Sequence, residues 1–179
     1  MKNKKKYNEK NKNRIRELIV NSIREKKVNS ILTLESPRFL FSKLLPDKKI
    51  IVWENDSKTY KKLEKEQPKN VDLVFGDISK FGRVGKNVDV VYLDFCRTFE
   101  TEEENIVALK EKLENSKLFI LTVCMRSNSK LETRYRGDYQ FHILSKIQTL
   151  TEVNWKVIYG ESYYDSVQMV TIIMENPNA

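Results

Sequence analysis

The segment ILTLESPRFLFSKLLPDKKIIVWEND, residues 31–56, reads as a β-strand, a short helix and a second β-strand, with an acidic residue closing each strand. Ser36 suits the N-cap of the intervening helix and Pro37 its first position, because proline lacks an N–H that the first turn leaves unpaired anyway. A strand–helix–strand opening of this kind begins a doubly wound α/β sheet, whose ligands sit beyond the carboxyl ends of the strands. The loop after the first strand is where glycines let the backbone approach a ligand or take positive φ. Here it holds none, and the first glycine of the chain is Gly76. Two alternatives follow: a site kept with its loop rebuilt, or a fold kept without its site.

Outward from this segment the alternation continues. Strands are expected over 28–34, 49–54, 71–75, 88–94 and 117–124, separated by helices over 37–45, 57–67 and 102–115. The run VDVVYLD (88–94) is the most apolar and is expected at the centre of the sheet. A helix over 138–150 leads to two closing strands, 155–159 and 167–174, joined by the hairpin-like connection GESYYDS (160–166). The expected fold is α/β: a doubly wound, mostly parallel sheet with an antiparallel edge strand. It occupies 28–179, behind an arm and helix over 1–27.

That arm carries the charge. Residues 1–30 hold 11 Lys/Arg against 3 Glu, whereas the remainder holds 22 of each sign, so the net +8 belongs to one end. Ile15, Leu18, Ile19 and Ile23 recur at helical spacing over 11–27, with Arg14, Arg16, Arg24, Lys26 and Lys27 on the other faces. A basic helix docked by such a stripe suits a polyanion, nucleic acid first; a solubilising tail is the plainer alternative. The 179 residues contain no apolar run long enough to span a bilayer and no apolar leader, so a cytoplasmic protein without membrane partners is expected. One histidine and two cysteines without a Cys-x-x-Cys pair leave no expected metal site and no disulfide framework.

The strand ends form an acidic rim: Glu35, Ser36 and Pro37 after the first, Glu54 and Asn55 after the second, Asp77 and Ile78 after the third, and Asp94, Phe95 and Cys96 after the fourth. Glu54 follows Glu35 by 19 residues, near the roughly 20 expected for an acid that accepts from both hydroxyls of a ribose.

These residues resemble the class I S-adenosylmethionine-dependent methyltransferases over about 28–175. In that family the first strand ends in an acid before a Gly-rich loop, matched by Glu35 alone. The ribose-binding acid is matched by Glu54, the acid facing adenine by Asp77 in FGDIS, and the motif beside the transferred methyl by LDFCRTF (93–99). The resemblance implies S-adenosylmethionine as cofactor, with no metal, held by Glu35, Ser36, Pro37, Glu54, Asn55, Asp77, Ile78 and Asp94. Amides of the helix expected after Ser36 would favour the methionine carboxylate.

The chemistry is expected beside Asp94, Phe95 and Cys96, with Asp94 accepting from or orienting a substrate N–H or O–H. Cys96 and Cys124 stand where RNA cytosine-C5 methyltransferases carry two cysteines, though LDFC lacks that family's proline; two structural cysteines are the alternative. The paired prolines of amino-methyltransferases are absent. Substrate contacts are expected from Arg126, Arg134 and Tyr135 in the loop after the fifth strand and from Tyr163 and Tyr164, since cations with aromatics hold phosphates and stack on bases. The function expected is a methyltransferase acting on RNA or DNA; the alternative is a non-catalytic module of the same fold that binds nucleic acid or protein.

Overall fold

The computed structural model describes residues 9–80, 87–125, 139–164 and 167–179. Seven strands form one sheet: β1 Ser30–Thr33, β2 Lys49–Glu54, β3 Val71–Phe75, β4 Val90–Asp94, β5 Leu118–Cys124, β6 Lys156–Tyr164 and β7 Gln168–Glu175. Their order is β3-β2-β1-β4-β5-β7-β6. The first five run parallel, and β7 lies antiparallel between β5 and β6. The doubly wound, mostly parallel sheet expected from the alternation is present, and its antiparallel pair closes one edge. Strand β5 is buried along its whole length (LFILTVC), as an inner strand covered on both faces must be.

Helices α1 Glu9–Arg24 and α2 Ser57–Glu66 cover one face, where Ile15, Ile19, Ile23 and Leu63 pack on Ile50, Val52 and Val90. Helices α3 Phe99–Ala108, α4 Lys110–Glu114 and α5 Tyr139–Thr151 cover the other, where Phe99, Ile106, Leu113, Ile143 and Ile147 pack on Leu32, Leu93 and Phe119. Successive strand residues therefore alternate between the two layers: Ile31 and Leu32 belong to opposite ones. At the amino ends, the Asp89 carboxylate accepts from the amides of Asn29 (2.7 Å) and Ser30 (3.1 Å) and pairs with Lys117 at 3.0 Å, which ties β1, β4 and β5 in register.

Three sequence expectations are corrected. No α-helix forms over 37–45; a turn, in which the Phe39 amide donates to the Ser36 carbonyl at 3.0 Å, leads into a single 3₁₀ turn at Ser42–Leu44. Phe39, Phe41 and Leu45 are all buried, and residues two apart cannot share one helical face. Phe39 resolves the conflict by taking φ +50°. Ser36 is thus not an N-cap, and Pro37 opens no helix. Next, the acidic helix expected over 102–115 begins at Phe99 and divides at Leu109. Finally, residues 160–164 are not a connection: β6 continues through Tyr164, paired with β7 as far as Gln168.

Candidate functional site

The strand order reverses between β1 and β4, where a doubly wound sheet leaves a crevice at its carboxyl ends. A cleft of about 860 Å³ lies there, lined by residues 34–38, Leu40 and Phe41 after β1, and by Tyr92, Asp94 and Cys96 of β4 and its extension. Tyr163, Val167 and Met169 close one side, Lys62 of α2 another, and α1 forms a wall with Lys12, Asn13, Ile15 and Arg16.

The first wall is organised by Glu35. Its carboxylate accepts from the amides of Phe41 (2.7 Å) and Ser42 (3.1 Å) and from the Ser42 hydroxyl. It ties the chain after β1 back on itself, its oxygens accepting from three donors where a helix would have used its own carbonyls. Burial pushes the Glu35 carboxyl above its ordinary value, and the Ser42 and Phe41 hydrogen bonds oppose that rise. Of the amides after Ser36, that of Phe39 donates to the Ser36 carbonyl and those of Phe41 and Ser42 donate to Glu35.

Period two sets the β4 side. Tyr92, Asp94 and Cys96 point to the cleft, whereas Leu93 and Phe95 point into the opposite core layer, where Phe95 is 7 % exposed. Asp94 and Cys96 are thus brought together and Phe95 is not. Tyr92, unanticipated in the sequence, floors the cleft and meets Phe41 edge to face at 5.1 Å between ring centroids. Burial, and then the nearby Asp94 charge, pushes the Tyr92 hydroxyl well above its usual range, so it remains protonated. Cys96 is exposed at the cleft, Cys124 is buried, and neither is in a disulfide.

The same alternation separates Tyr163, buried against the cleft, from Tyr164, which is 55 % exposed. Glu54, Asn55, Asp77 and Ile78 lie outside the cleft lining, along the rim formed by β2 and β3. Glu54 accepts from the Asp56 amide at 2.7 Å. Asp77 accepts from the Ser79 amide at 3.0 Å, which holds its carboxyl below the usual value. Ile78 is buried in the core. Arg126, Arg134 and Tyr135 lie outside the described residues. Among the described residues no cluster of His, Cys, Asp or Glu is arranged to hold a metal ion, and no helix is long and apolar enough to cross a membrane.

The α1 wall is fixed to the body by polar contacts as well as by its apolar stripe. Arg14 forms a two-pronged ion pair with Glu161, which also accepts from the Tyr159 hydroxyl. Asn11 donates to the Tyr164 carbonyl at 2.9 Å, and Arg24 to the Leu44 carbonyl at 2.8 Å. The composition of α1 signals a charged helix, but which of its cations meet the body and which meet the cleft follows only from the docking angle.

No protein-family model matches the sequence, and no curated protein matches it. Solved structures do resemble it. Magnesium protoporphyrin IX methyltransferase from Synechocystis PCC 6803, with bound SAH, superposes with a TM-score of 0.65 at 8 % identity, over 92 % of this chain and 81 % of that one. The N-methyltransferase NodS from Bradyrhizobium japonicum WM9 gives 0.63 at 12 % identity, over 95 % and 98 %. The fibrillarin pre-rRNA processing protein of Methanococcus jannaschii gives 0.56 at 14 % identity, over 84 % and 67 %. The chain has the class I methyltransferase-like fold.

Proposed function

We propose that this chain is an S-adenosylmethionine-dependent methyltransferase acting on nucleic acid. The observation that carries the reading is the cleft at the β1–β4 reversal, which gathers Glu35, Ser36 and Pro37 with Asp94 and Cys96 under α1. Its volume of about 860 Å³ falls in the range of roughly 300–1,000 Å³ typical of sites for a cofactor or small ligand. The backbone at 35–38 opens onto that space, so a loop without glycine still leaves room for a ligand beside it. The fold is shared with a methyltransferase holding SAH and with a pre-rRNA processing protein, which supports cofactor and substrate class respectively.

In this reading Glu35 holds the loop in shape, while Glu54 and Asp77 present carboxylates along the β2–β3 rim to hydroxyl and amino donors. S-adenosylmethionine, when bound, supplies an electrophilic methyl group. Asp94, exposed at the end of β4, accepts a hydrogen bond from the substrate's N–H or O–H and aligns it. Tyr92, kept protonated beneath it, serves as a hydrogen-bond donor and not as a base. The basic N-terminal segment leads the polyanion to this opening.

A second reading has its own observation. The Glu35 carboxylate is turned into its own loop and Phe39 occupies the position of positive φ, an arrangement equally suited to a non-catalytic module of the same fold. Calorimetric titration with S-adenosylhomocysteine (SAH) separates the two. Binding is expected, and Glu54→Ala should weaken it about tenfold or more, since one charged hydrogen bond contributes roughly 1.5–3 kcal/mol. Wild-type protein that takes up no SAH leaves the non-catalytic reading.

A further inference from the structure

The cations of α1 and of the residues just after it differ in what they meet. Arg14 pairs with Glu161, Arg24 donates to the Leu44 carbonyl and Lys26, two residues past the helix, pairs with Glu175, so these fasten the segment to the body. Lys12 and Arg16 line the cleft, and Arg38 and Lys62 line it from the side of the β1 loop and α2. Among the described residues, four cations therefore share the cleft with two carboxylates, Glu35 and Asp94, and Glu35 accepts from the Phe41 and Ser42 amides. Arg16 is held by its own helix: one Nη donates to the Asn13 side chain at 2.8 Å. A guanidinium has five donors, so most of its hydrogen-bonding capacity is left for other acceptors. It shares the cleft lining with Glu35 and Tyr92. Tyr163 lies buried along the same lining.

Fixed cations and aromatic rings in one concave site recognise a phosphate joined to a planar base. We propose that α1 is the phosphate-binding wall of the cleft: Arg16, with Arg38 opposite, grips backbone phosphates of a single-stranded nucleic acid, and one base enters beside Tyr163 towards Asp94. This rests on the reading of the cleft as a site acting on nucleic acid and gives that reading its substrate form, an unpaired strand. An unpaired strand offers a base to the cleft without the unpairing cost of a few kcal/mol that a duplex carries.

The test uses the full-length protein and a fluorescein-labelled, ten-nucleotide single-stranded RNA of mixed sequence, followed by anisotropy across a series of salt concentrations. Arg16→Gln combined with Arg38→Gln should weaken binding by about tenfold or more and flatten the dependence of log K on log salt by about 1.4, two contacts at roughly 0.7 each. Lys156→Gln removes a charge from the exposed edge strand β6, away from the cleft lining, and should change neither. SAH titration of the same proteins distinguishes the failures. If wild-type protein binds SAH but not the RNA, or if the double variant behaves like Lys156→Gln, the phosphate wall is overturned while the cofactor reading stands. If wild-type protein ignores SAH yet the double variant loses RNA affinity and salt slope, the wall stands and the catalytic reading falls. Should Arg16→Gln lower the melting temperature, Arg38→Gln alone carries the test: its side chain is exposed, and about half the change in slope is expected.

Discussion

Two crossovers leave adjacent parallel strands through the same kind of residue and end as different structures. After β1, Glu35 is followed by turns and one 3₁₀ turn; after β2, Glu54 is followed by the regular helix α2. The second crossover obeys local rules. Asp56 caps α2 by accepting from the Thr59 amide at 2.7 Å, and Leu63 is the one fully buried residue of SKTYKKLEKE, so a single helical face satisfies the core. The first must bury Phe39, Phe41 and Leu45 at spacings of two and four, and it is the Glu35 carboxylate, not a helix, that supplies acceptors for the amides. The cleft lies along the crossover that has no α-helix. Residues of this crossover, 34–38, Leu40 and Phe41, line the cleft opposite Lys12, Asn13, Ile15 and Arg16 of α1.

The largest effect should come from Phe39. Its ring is fully buried, so Phe39→Ala should destabilise the protein by about 3–5 kcal/mol in urea unfolding. A cost below about 1 kcal/mol would mean that the turn is not held by this side chain. Glu35→Ala comes next, at about 2–3 kcal/mol, because it leaves buried amides without their acceptor. Glu35→Gln sharpens the point through pH. The folded carboxyl is raised above its unfolded value by burial, so its contribution is fully present below the unfolded value of about 4.3 and is lost as pH rises through the folded one. The stability of wild-type protein relative to Glu35→Gln should therefore decline with rising pH across that window and then level off; an advantage that grows with pH would contradict a buried Glu35.

Asp56 should give the smallest and most local response. Its carboxyl is held below the usual value by the Thr59 hydrogen bonds, so its contribution is present above about pH 3.9 and lost on further acidification, the opposite sense to Glu35. Asp56→Ala should speed amide exchange at Thr59 and Tyr60 while leaving Phe41 and Ser42 unchanged. Exchange that rises equally in both crossovers would show them to be one cooperative unit.

The strands were legible because burial on a sheet leaves a direct trace in composition. KIIVWE and VDLVF form strands with the bounds expected from their apolar content and the polar residues that flank them. Legibility of the site was partial, and the reason is period two. Reading LDFC as a unit set Asp94, Phe95 and Cys96 together, whereas alternation sends Phe95 to the other core layer and brings in Tyr92, a signal that was present in VVYLD. The same rule divides Tyr163 from Tyr164 once β6 is known to run through them, which the turn-like composition of GESYYDS concealed. Lys62 and Arg38 carry no local mark of lining a cleft.

By itself the sequence determined the order of the elements, the parallel sheet and the placing of acids at four successive strand ends, because periodicity and strand length are properties of contiguous residues. Only the tertiary structure decided that the first crossover would forgo its helix, that Glu35 would turn inward, and that α1 would commit some cations to the body and others to the cleft. Those outcomes depend on which distant groups compete for each donor, as Glu161 does for Arg14 and Leu44 for Arg24, and residues 147 and 20 positions apart in the chain leave no mark of their meeting in either local pattern.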